Sequence, residues 1–482
     1  MTQLDESLYK TAFEIDNARN IGSKDLAAQF VWTDSFQRLI TPKNHIILGA
    51  RGSGKTAIAK MLSHEYLAKW DDVRAQKIIS ARRFIGIYVP MKLEWIGGLH
   101  NKRWMSEAEA EQYFQWRLNI ATCMAFLSSL QSCLSTYFTD RKIRAVNEFD
   151  LVRAISKSWF SENSDIRNIS ELREELEDIE YKKQRQVIRS RIPGTEPPKE
   201  IIGESFELEL FSPLKRAITL TKRAFSFPSD NIWLLCLDEA EFLEPFHHRI
   251  LNSHLRSYSG DLAFKITTMP YHHHTLQTNT EAPLNVGDDF EYVYIDQPVS
   301  VDSITAQKEI TEFSRSIFEK RLTPSMRGTG LTLQFLLGPS TLLGDTDTDW
   351  TKGKRMWSLL EAHANETTIK RANRLYRTKG FKDQIARKIQ GSLLLKDALK
   401  NKSGRSELDI YSGESIFIRC GDGNPRRIIR LINNVIQAID IPLNKEQFLG
   451  FKPLPLKQQS AIILKASAQA LNLSSLEPMV GK

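Results

Sequence analysis

The octet Gly49-Ala50-Arg51-Gly52-Ser53-Gly54-Lys55-Thr56 satisfies the pattern G-x-x-x-x-G-K-[ST] without a mismatch. Its residue types suit one task, the cradling of a polyphosphate. Glycines let consecutive backbone N–H groups turn inward onto a β-phosphate, and a helix starting near Lys55 adds its positive end. Lys55 neutralises β/γ oxygens, and Thr56 offers a hydroxyl to Mg²⁺. The binding set read from this stretch is Gly49, Arg51, Gly52, Ser53, Gly54, Lys55, Thr56 and Ala57. A plain glycine-rich turn would not need the apolar run Ile46-Ile47-Leu48 before it, nor the helically spaced apolar residues after it.

Far downstream, Leu234-Leu235-Cys236-Leu237 delivers Asp238 and Glu239 at the end of an apolar run. In an open α/β sheet the ligand sits beyond the C-terminal ends of the strands. Asp238 is therefore expected in a Mg²⁺ shell, and Glu239 as the base that orients and deprotonates an attacking water. Alone, an apolar strand ending in Asp-Glu is common; the octet upstream gives it meaning. Glu241 and Glu244 read as ordinary exposed helix residues. A transporter-type ATPase would carry an L-S-G-G-Q-like signature just before the acidic pair, and Thr221 to Asp230 contains none.

These residues need a sheet to hold them. Strands are predicted before the octet, at Arg83 to Pro90, at Ile232 to Leu237, at Leu262 to Thr267 and at Phe290 to Ile295, with a helix over Phe242 to Leu255. Strands alternating with helices predict a parallel α/β sheet. Residues 1–40 read as a helical lead-in whose Phe30, Trp32, Phe36, Leu39 and Ile40 can dock on a core. Between about 95 and 228 lies a long helical insertion. Its stretch Ile169 to Ile188 puts apolar residues at Ile169, Leu172, Leu176, Ile179 and Val187 among mixed charges, which predicts a solvated helix or helical arm. Arg191 to Glu200 is a Pro-rich break. From Val301 the chain is mostly helical, interrupted by a Gly/Thr/Asp-rich loop around Leu337 to Thr351 and closing in a strongly periodic helix from Arg426 to Ile439.

At 482 residues the chain exceeds one compact core, and 41% hydrophobic with 26% charged residues excludes a mainly disordered or collagen-like chain. Lys plus Arg outnumber Asp plus Glu by 66 to 58, which permits contact with nucleic acid without requiring it. Cys123, Cys133, Cys236 and Cys420 form no C-x-x-C pair, so a reducing cytoplasm is expected. The N-terminus lacks a basic head with an apolar centre, and the apolar helix near Ile120 to Leu134 is broken by Ser and Gln; no signal peptide or membrane span is expected. Histidines cluster between His247 and His274, including His272-His273-His274. No Cys or spaced His pair completes a tetrahedral metal set, which leaves a loop exposed to substrate or partner.

Near the end, Gly423-Asn424-Pro425-Arg426 opens a helix far downstream of the octet. A capped basic amphipathic helix with Pro in its first turn is the simpler reading. Taken with the octet and Leu237-Asp238-Glu239-Ala240-Glu241, however, the chain resembles AAA+ ATPases. Within them it resembles bacterial relatives of the origin-recognition/initiator clade, through Arg51-Gly52-Ser53-Gly54-Lys55-Thr56, the Asp288 to Ile295 strand and the Asp422 to Arg426 lid motif. The resemblance implies a P-loop NTPase of α/β class with a parallel sheet, a long helical insertion and a C-terminal helical lid. It lays out a lead-in (1–40), an ATPase core (41–300), the lid (301–441) and a helical tail (442–482). It implies that Arg426, ahead of Arg427, acts as the sensor-2 arginine that reaches the γ-phosphate.

Thr267 or Thr268 stands at the sensor-1 place, with Thr268 preferred. No arginine finger can be assigned beyond the candidates Arg249 and Arg256. Departures from the family pattern are the insertion and a tail too short for a winged helix, which weighs against origin binding. The function implied is a cytoplasmic, Mg²⁺-dependent, ATP-hydrolysing switch, oligomeric or working with a partner effector in bacterial defence against phage or mobile DNA. The alternatives are a DNA-binding initiator or loader and an ATP-binding scaffold without turnover.

Overall fold

Strands β1 (His45–Leu48), β2 (Phe84–Pro90), β3 (Ile232–Asp238), β4 (Leu262–Thr268) and β5 (Glu291–Tyr294) form one sheet in the order β2-β3-β4-β1-β5. Every neighbouring pair is parallel. β1 and β4 are buried along their whole length, as parallel strands covered on both faces must be. The protein is described here from a computed structural model covering residues 16–92, 107–160, 165–190, 206, 208–257, 260–280, 282–296, 303–322, 324–327, 329–338, 354–376, 378–400, 410–439 and 451–476. The Pro-rich stretch 191–200 and most of the Gly/Thr/Asp-rich stretch, 339–351, lie outside the described residues.

Alternation along each strand sends side chains into two apolar layers. On one face, Ile47, Leu234, Cys236, Ala263 and Val293 pack with Ile58, Ala59, Met61 and Leu62 of α1 (Lys55–Leu62). Residues 18–40 contribute to this layer: Leu26 of the helix Ser23–Gln29, Phe30 just after it, and Phe36 and Leu39 of the helix Asp34–Leu39 join it, with Phe30 and Phe36 packed edge-on against Trp70. Contact between α1 and β2 is close enough that a Cβ on Gly86 would lie 1.9 Å from the Leu62 carbonyl oxygen, so only glycine fits there.

On the other face, Leu48, Ile85, Ile87, Trp233, Leu235 and Ile266 meet the insertion, which comprises α2 (Glu107–Tyr137), α3 (Arg141–Trp159), α4 (Ile169–Ser190) and α5 (Ser212–Ala224). The expectation of a solvated arm is corrected here. Ile169, Leu172, Leu176 and Val187 of α4 are buried in the sheet's own layer, and Arg117 of α2 pairs with Glu180 of α4 at 2.8 Å. Within α2, Ala108–Tyr137 is long and apolar enough to cross a membrane by length and composition. Its Phe114, Leu118, Phe126 and Leu130 are fully buried, and the Phe126 ring lies 5.0 Å from Trp233 of β3, so the helix serves as a layer of this core.

After β3, Ala240–Phe242 is a 3₁₀ turn, and the following helix, α6, runs Pro245–Arg256. Its predicted start at Phe242 is too early because Pro245 takes the first helical position.

The chain divides into two compact units, residues 18–297 and residues 1–17 with 298–482. The second unit is helical: α7 (Ser303–Arg321), α8 (Lys354–His363), α9 (Glu366–Leu375), α10 (Arg387–Lys400), α11 (Glu414–Gly421), α12 (Pro425–Gln437) and α13 (Leu456–Leu476) are its longer helices. Arg315 of α7 grips the buried Glu414 carboxylate through both oxygens, at 2.7 and 2.6 Å. Gln459 of α13 accepts from the Gly413 amide and donates to the Leu337 and Leu454 carbonyls.

Burial sets a pH dependence on the sheet unit. Desolvation lowers His45 and His248 to about 3, and His64, His254 and His273 to about 4. Each folded value lies below the ordinary 6.5, so the unfolded chain binds more protons between pH 6.5 and about 3–4. Stability is complete above 6.5 and is lost as pH falls through that window. We expect the urea midpoint of the intact chain to drop progressively from pH 6.5 to pH 4; a flat midpoint would show that these imidazoles titrate normally.

Candidate nucleotide site

The octet forms the turn between β1 and α1. Gly52 and Gly54 have φ of 83° and 98°, a region that favours glycine, and α1 starts at Lys55. A Cβ on Gly49 would lie 2.4 Å from Ser53 Oγ and 2.8 Å from Ile295 Cγ1, so the loop closes on itself only with glycine there. Lys55 is buried, and its Nζ donates to the Gly49 carbonyl at 2.7 Å and the Ala50 carbonyl at 3.3 Å. Burial lowers its pKa from the ordinary lysine value, opposed by the carboxylates of Glu241, Asp238 and Asp296. Arg51 is exposed, whereas Thr56 and Ala57 are half-buried on the first turn of α1.

Asp238 is buried at the end of β3, and both of its oxygens accept hydrogen bonds. Thr267 Oγ1 donates to Oδ1 at 2.5 Å and Tyr88 Oη to Oδ2 at 3.0 Å. The Thr267 hydroxyl also accepts from the Glu239 amide at 3.0 Å. Glu239 itself adopts φ 69°, left-handed for a residue with a side chain, which turns the chain sharply out of the strand. Its carboxylate pairs with the Arg19 guanidinium from the 3₁₀ turn Ala18–Asn20. That turn is anchored by Lys60 of α1, whose Nζ donates to the Ala18 and Arg19 carbonyls at 2.8 and 3.1 Å.

Thr267 and Thr268 point to opposite faces of β4 and have different surroundings. Thr267 ties the acidic pair together. Thr268 is paired in register with Leu48 at the mouth of the loop, its carbonyl accepts from the Gly49 amide at 3.4 Å, and its buried hydroxyl has no hydrogen-bond partner. Ser53 Oγ is likewise buried and unpartnered. The sheet thus brings together the octet, Asp238, Glu239 and both threonines, which are scattered over more than two hundred residues of sequence.

Other residues here were not singled out from sequence. Tyr88 and Arg19 are described above. The Asp296 carboxylate, just beyond β5, accepts from the Ala50 amide at 2.7 Å. Glu241 is corrected: it is half-buried on the turn after Glu239, one carboxylate oxygen is buried without a hydrogen bond, and it is the largest acidic influence on Lys55. Glu244 is corrected too, forming a reciprocal capping box with His247 at the start of α6.

The histidine cluster lies behind this edge and is largely packed. His248 contacts the His273 and His274 rings, and His273 is within hydrogen-bond distance of Tyr292 Oη at 2.9 Å and Asn252 Oδ1 at 3.3 Å. A signal for Tyr88 and Asp296 existed in sequence, since each is a polar group at the C-terminal end of a predicted strand; Arg19 had none. Of the arginine-finger candidates, Arg256 donates to the Pro283 carbonyl at 2.7 Å and Arg249 is half-buried on α6.

Arg426 belongs to the helical unit. Asn424 caps α12 by accepting from the Arg427 amide at 3.2 Å, and Pro425 occupies the first helical position. Arg426 is half-buried with its Nε unpartnered, whereas Arg427 is exposed and lies 3.6 Å from Asp422.

A parallel five-stranded sheet with the phosphate-type loop after one strand and an acidic pair after another is the frame of a P-loop NTPase. A family model described as ORC-CDC6-like matches residues 11–481, nearly the whole chain. The chain belongs to the ORC-CDC6-like family. No curated protein and no solved structure matches it. As an ORC-CDC6-like chain it is an AAA+ ATPase of the initiator type, with ATP binding and ATPase activity at the general level of the family.

Thr267→Val removes a donor to Asp238 and an acceptor from Glu239 while keeping the shape of the side chain. We expect it to cost about 1–3 kcal/mol in denaturant unfolding, with Thr267→Ser close to wild type. Equal stability of the valine variant would show that the hydroxyl does not hold the acidic pair.

Proposed function

We propose that this ORC-CDC6-like protein binds ATP on the Gly49–Thr56 loop and hydrolyses it at the Asp238–Glu239 edge, as an ATP-driven switch. The observation that carries the reading is the convergence of that loop with a buried, doubly hydrogen-bonded Asp238 at the C-terminal ends of β1, β3 and β4. The residues fit a magnesium nucleotide. Lys55 is a buried cation held among backbone carbonyls, Ser53 Oγ and Thr268 Oγ1 are buried polar atoms without partners, and Gly52 and Gly54 take the positive φ with which a phosphate-binding loop curls.

In this reading Gly49, Arg51, Gly52, Ser53, Gly54, Lys55, Thr56 and Ala57 bind the phosphates, and Thr56 with Asp238 holds the magnesium ion. Magnesium, when bound, neutralises charge developing on the phosphate oxygens. Glu239 takes the proton from the attacking water. Its ion pair with Arg19 fixes where the carboxylate rests. Thr268 is assigned to polarise the reacting phosphate or water with its spare hydroxyl, and Arg426 to act as the lid arginine, supported by its unpartnered Nε. For the output we propose a separately encoded effector in defence against mobile DNA, supported only by the resemblance to bacterial relatives, with copurification as its test.

Glu239→Gln keeps the size and hydrogen-bonding capacity of the side chain but removes the base. Turnover is expected to fall by about 10²–10⁴-fold, with ATP still retained in a filter-binding assay. Equal, near-zero turnover in wild type and variant would leave only the binding scaffold, and equal measurable turnover would remove Glu239 as the base.

A further inference from the structure

Two ion pairs stand three residues apart at the start of the described chain, one on each side of the boundary between the two units. The chain passes from the helical unit to the sheet unit between Asn17 and Ala18. Asp16, in the helical unit, accepts from Arg430 Nε of α12. Its charge also opposes the effect of burial on Arg321 at the end of α7, where desolvation lowers the guanidinium to about 10. Arg19, in the sheet unit, pairs with the Glu239 carboxylate. Three peptide links span no more than about 11 Å, so little slack separates the two pairs.

The backbone of this strap is tied to the nucleotide-loop helix. Lys60 of α1 donates to the Ala18 and Arg19 carbonyls, which holds the 3₁₀ turn while leaving its side chains free to take other directions. The Arg19 side chain, 54% exposed, leaves that anchor to meet Glu239, 13% exposed. The two carboxylates of the acidic pair are therefore held differently. Asp238 takes its hydrogen bonds from Thr267 and Tyr88, on the strands to either side of its own. The Glu239 carboxylate is met by a long side chain from outside the sheet, and an ion pair so exposed is weak enough to open and reform. A carboxylate acting as a base must offer a lone pair to water, and a guanidinium held against it competes for those lone pairs. At the other end of the strap, Arg430 follows Arg426 by four residues, which puts both on one face of α12.

We propose that Arg19 is a positioning residue that parks Glu239 away from the attacking water, and that the strap Asp16–Arg19 couples its release to α12. The proposal rests on the reading of Glu239 as the base. In the parked state ATP is bound and hydrolysis is slow. A shift of α12 carries Arg430 and with it Asp16, and the short link to Arg19 re-aims the guanidinium away from Glu239 while Lys60 keeps the turn on α1. Arg19 acts through Glu239 rather than on the nucleotide, so kcat responds and KM does not.

The test is steady-state ATP turnover with magnesium by the full chain, with thermal midpoints measured alongside. Arg19→Ala is expected to raise kcat by about two- to fivefold, the scale of releasing one partly exposed ion pair, with KM for ATP unchanged. Arg19→Gln, which keeps a long polar side chain without the charge, is expected to follow it, and Arg19→Lys to stay below both. Arg430→Gln unties the strap from α12, leaves Glu239 parked and is expected to lower kcat. The double variant Arg430→Gln/Arg19→Ala is expected to match Arg19→Ala, because without the guanidinium the tie has nothing to release. A role confined to holding the N-terminal segment would lower the midpoint of these variants without raising kcat. Turnover of Arg19→Ala and Arg19→Gln equal to or below that of wild type, or an additive loss in the double variant, would overturn the proposal. Glu239→Gln, assayed beside them, separates the two readings. If it hydrolyses like wild type, Glu239 is not the base and both fall; if it is silent while Arg19→Ala and Arg19→Gln are no faster than wild type, the parking of Glu239 alone falls.

Discussion

The Thr267 hydroxyl works in two directions at once, donating to the buried Asp238 carboxylate and accepting from the Glu239 amide. Both partners need it. A carboxylate with almost no exposure is costly unless its lone pairs are used, and a left-handed residue such as Glu239 persists only where its surroundings hold it. The bond exists because β4 lies between β1 and β3, which puts a side chain of β4 beside the end of β3 and also places Thr268 beside the end of β1. One strand therefore references the acidic pair to the phosphate-type loop. Tyr88 donates to the same carboxylate from β2, so Asp238 is fixed by the strands on both sides of its own.

That arrangement is exacting about everything behind it. The two oxygens of Asp238 stay on their donors only if the strands keep register, and register in a parallel sheet is held by what covers its faces. On one side α1 approaches β2 so closely that Gly86 admits no side chain. On the other, the insertion acts as the covering layer: α2 lies along the sheet, and α3, α4 and α5 complete its core. The same burial keeps several imidazoles neutral, so the unit gains a rigid site edge and accepts sensitivity to acid.

Much of this was legible in the sequence, for local reasons. The octet, the apolar run into Asp238 and the run from Leu262 to Thr267 each announce themselves by residue type within a short window, and strands form at these places. What was not legible depends on partners far away in sequence. Ile169, Leu172 and Leu176 show an apolar stripe, but nothing in the stripe says that it meets the sheet, so the charges between them suggested an arm. Glu241 looked exposed because a 3₁₀ turn, rather than the first turn of a helix, carries it toward Lys55. Arg19 reaches Glu239 across more than two hundred residues from a segment without a recognisable pattern.

We propose that the loop and the acidic edge form one magnesium-nucleotide site in this ORC-CDC6-like chain. Isothermal titration of wild type and Lys55→Ala with a non-hydrolysable ATP analogue, with magnesium and again with excess EDTA, addresses it without relying on turnover. Wild type is expected to show saturable one-to-one binding that weakens in EDTA and is lost in Lys55→Ala. Binding of equal strength in the variant, or none by wild type, would contradict it.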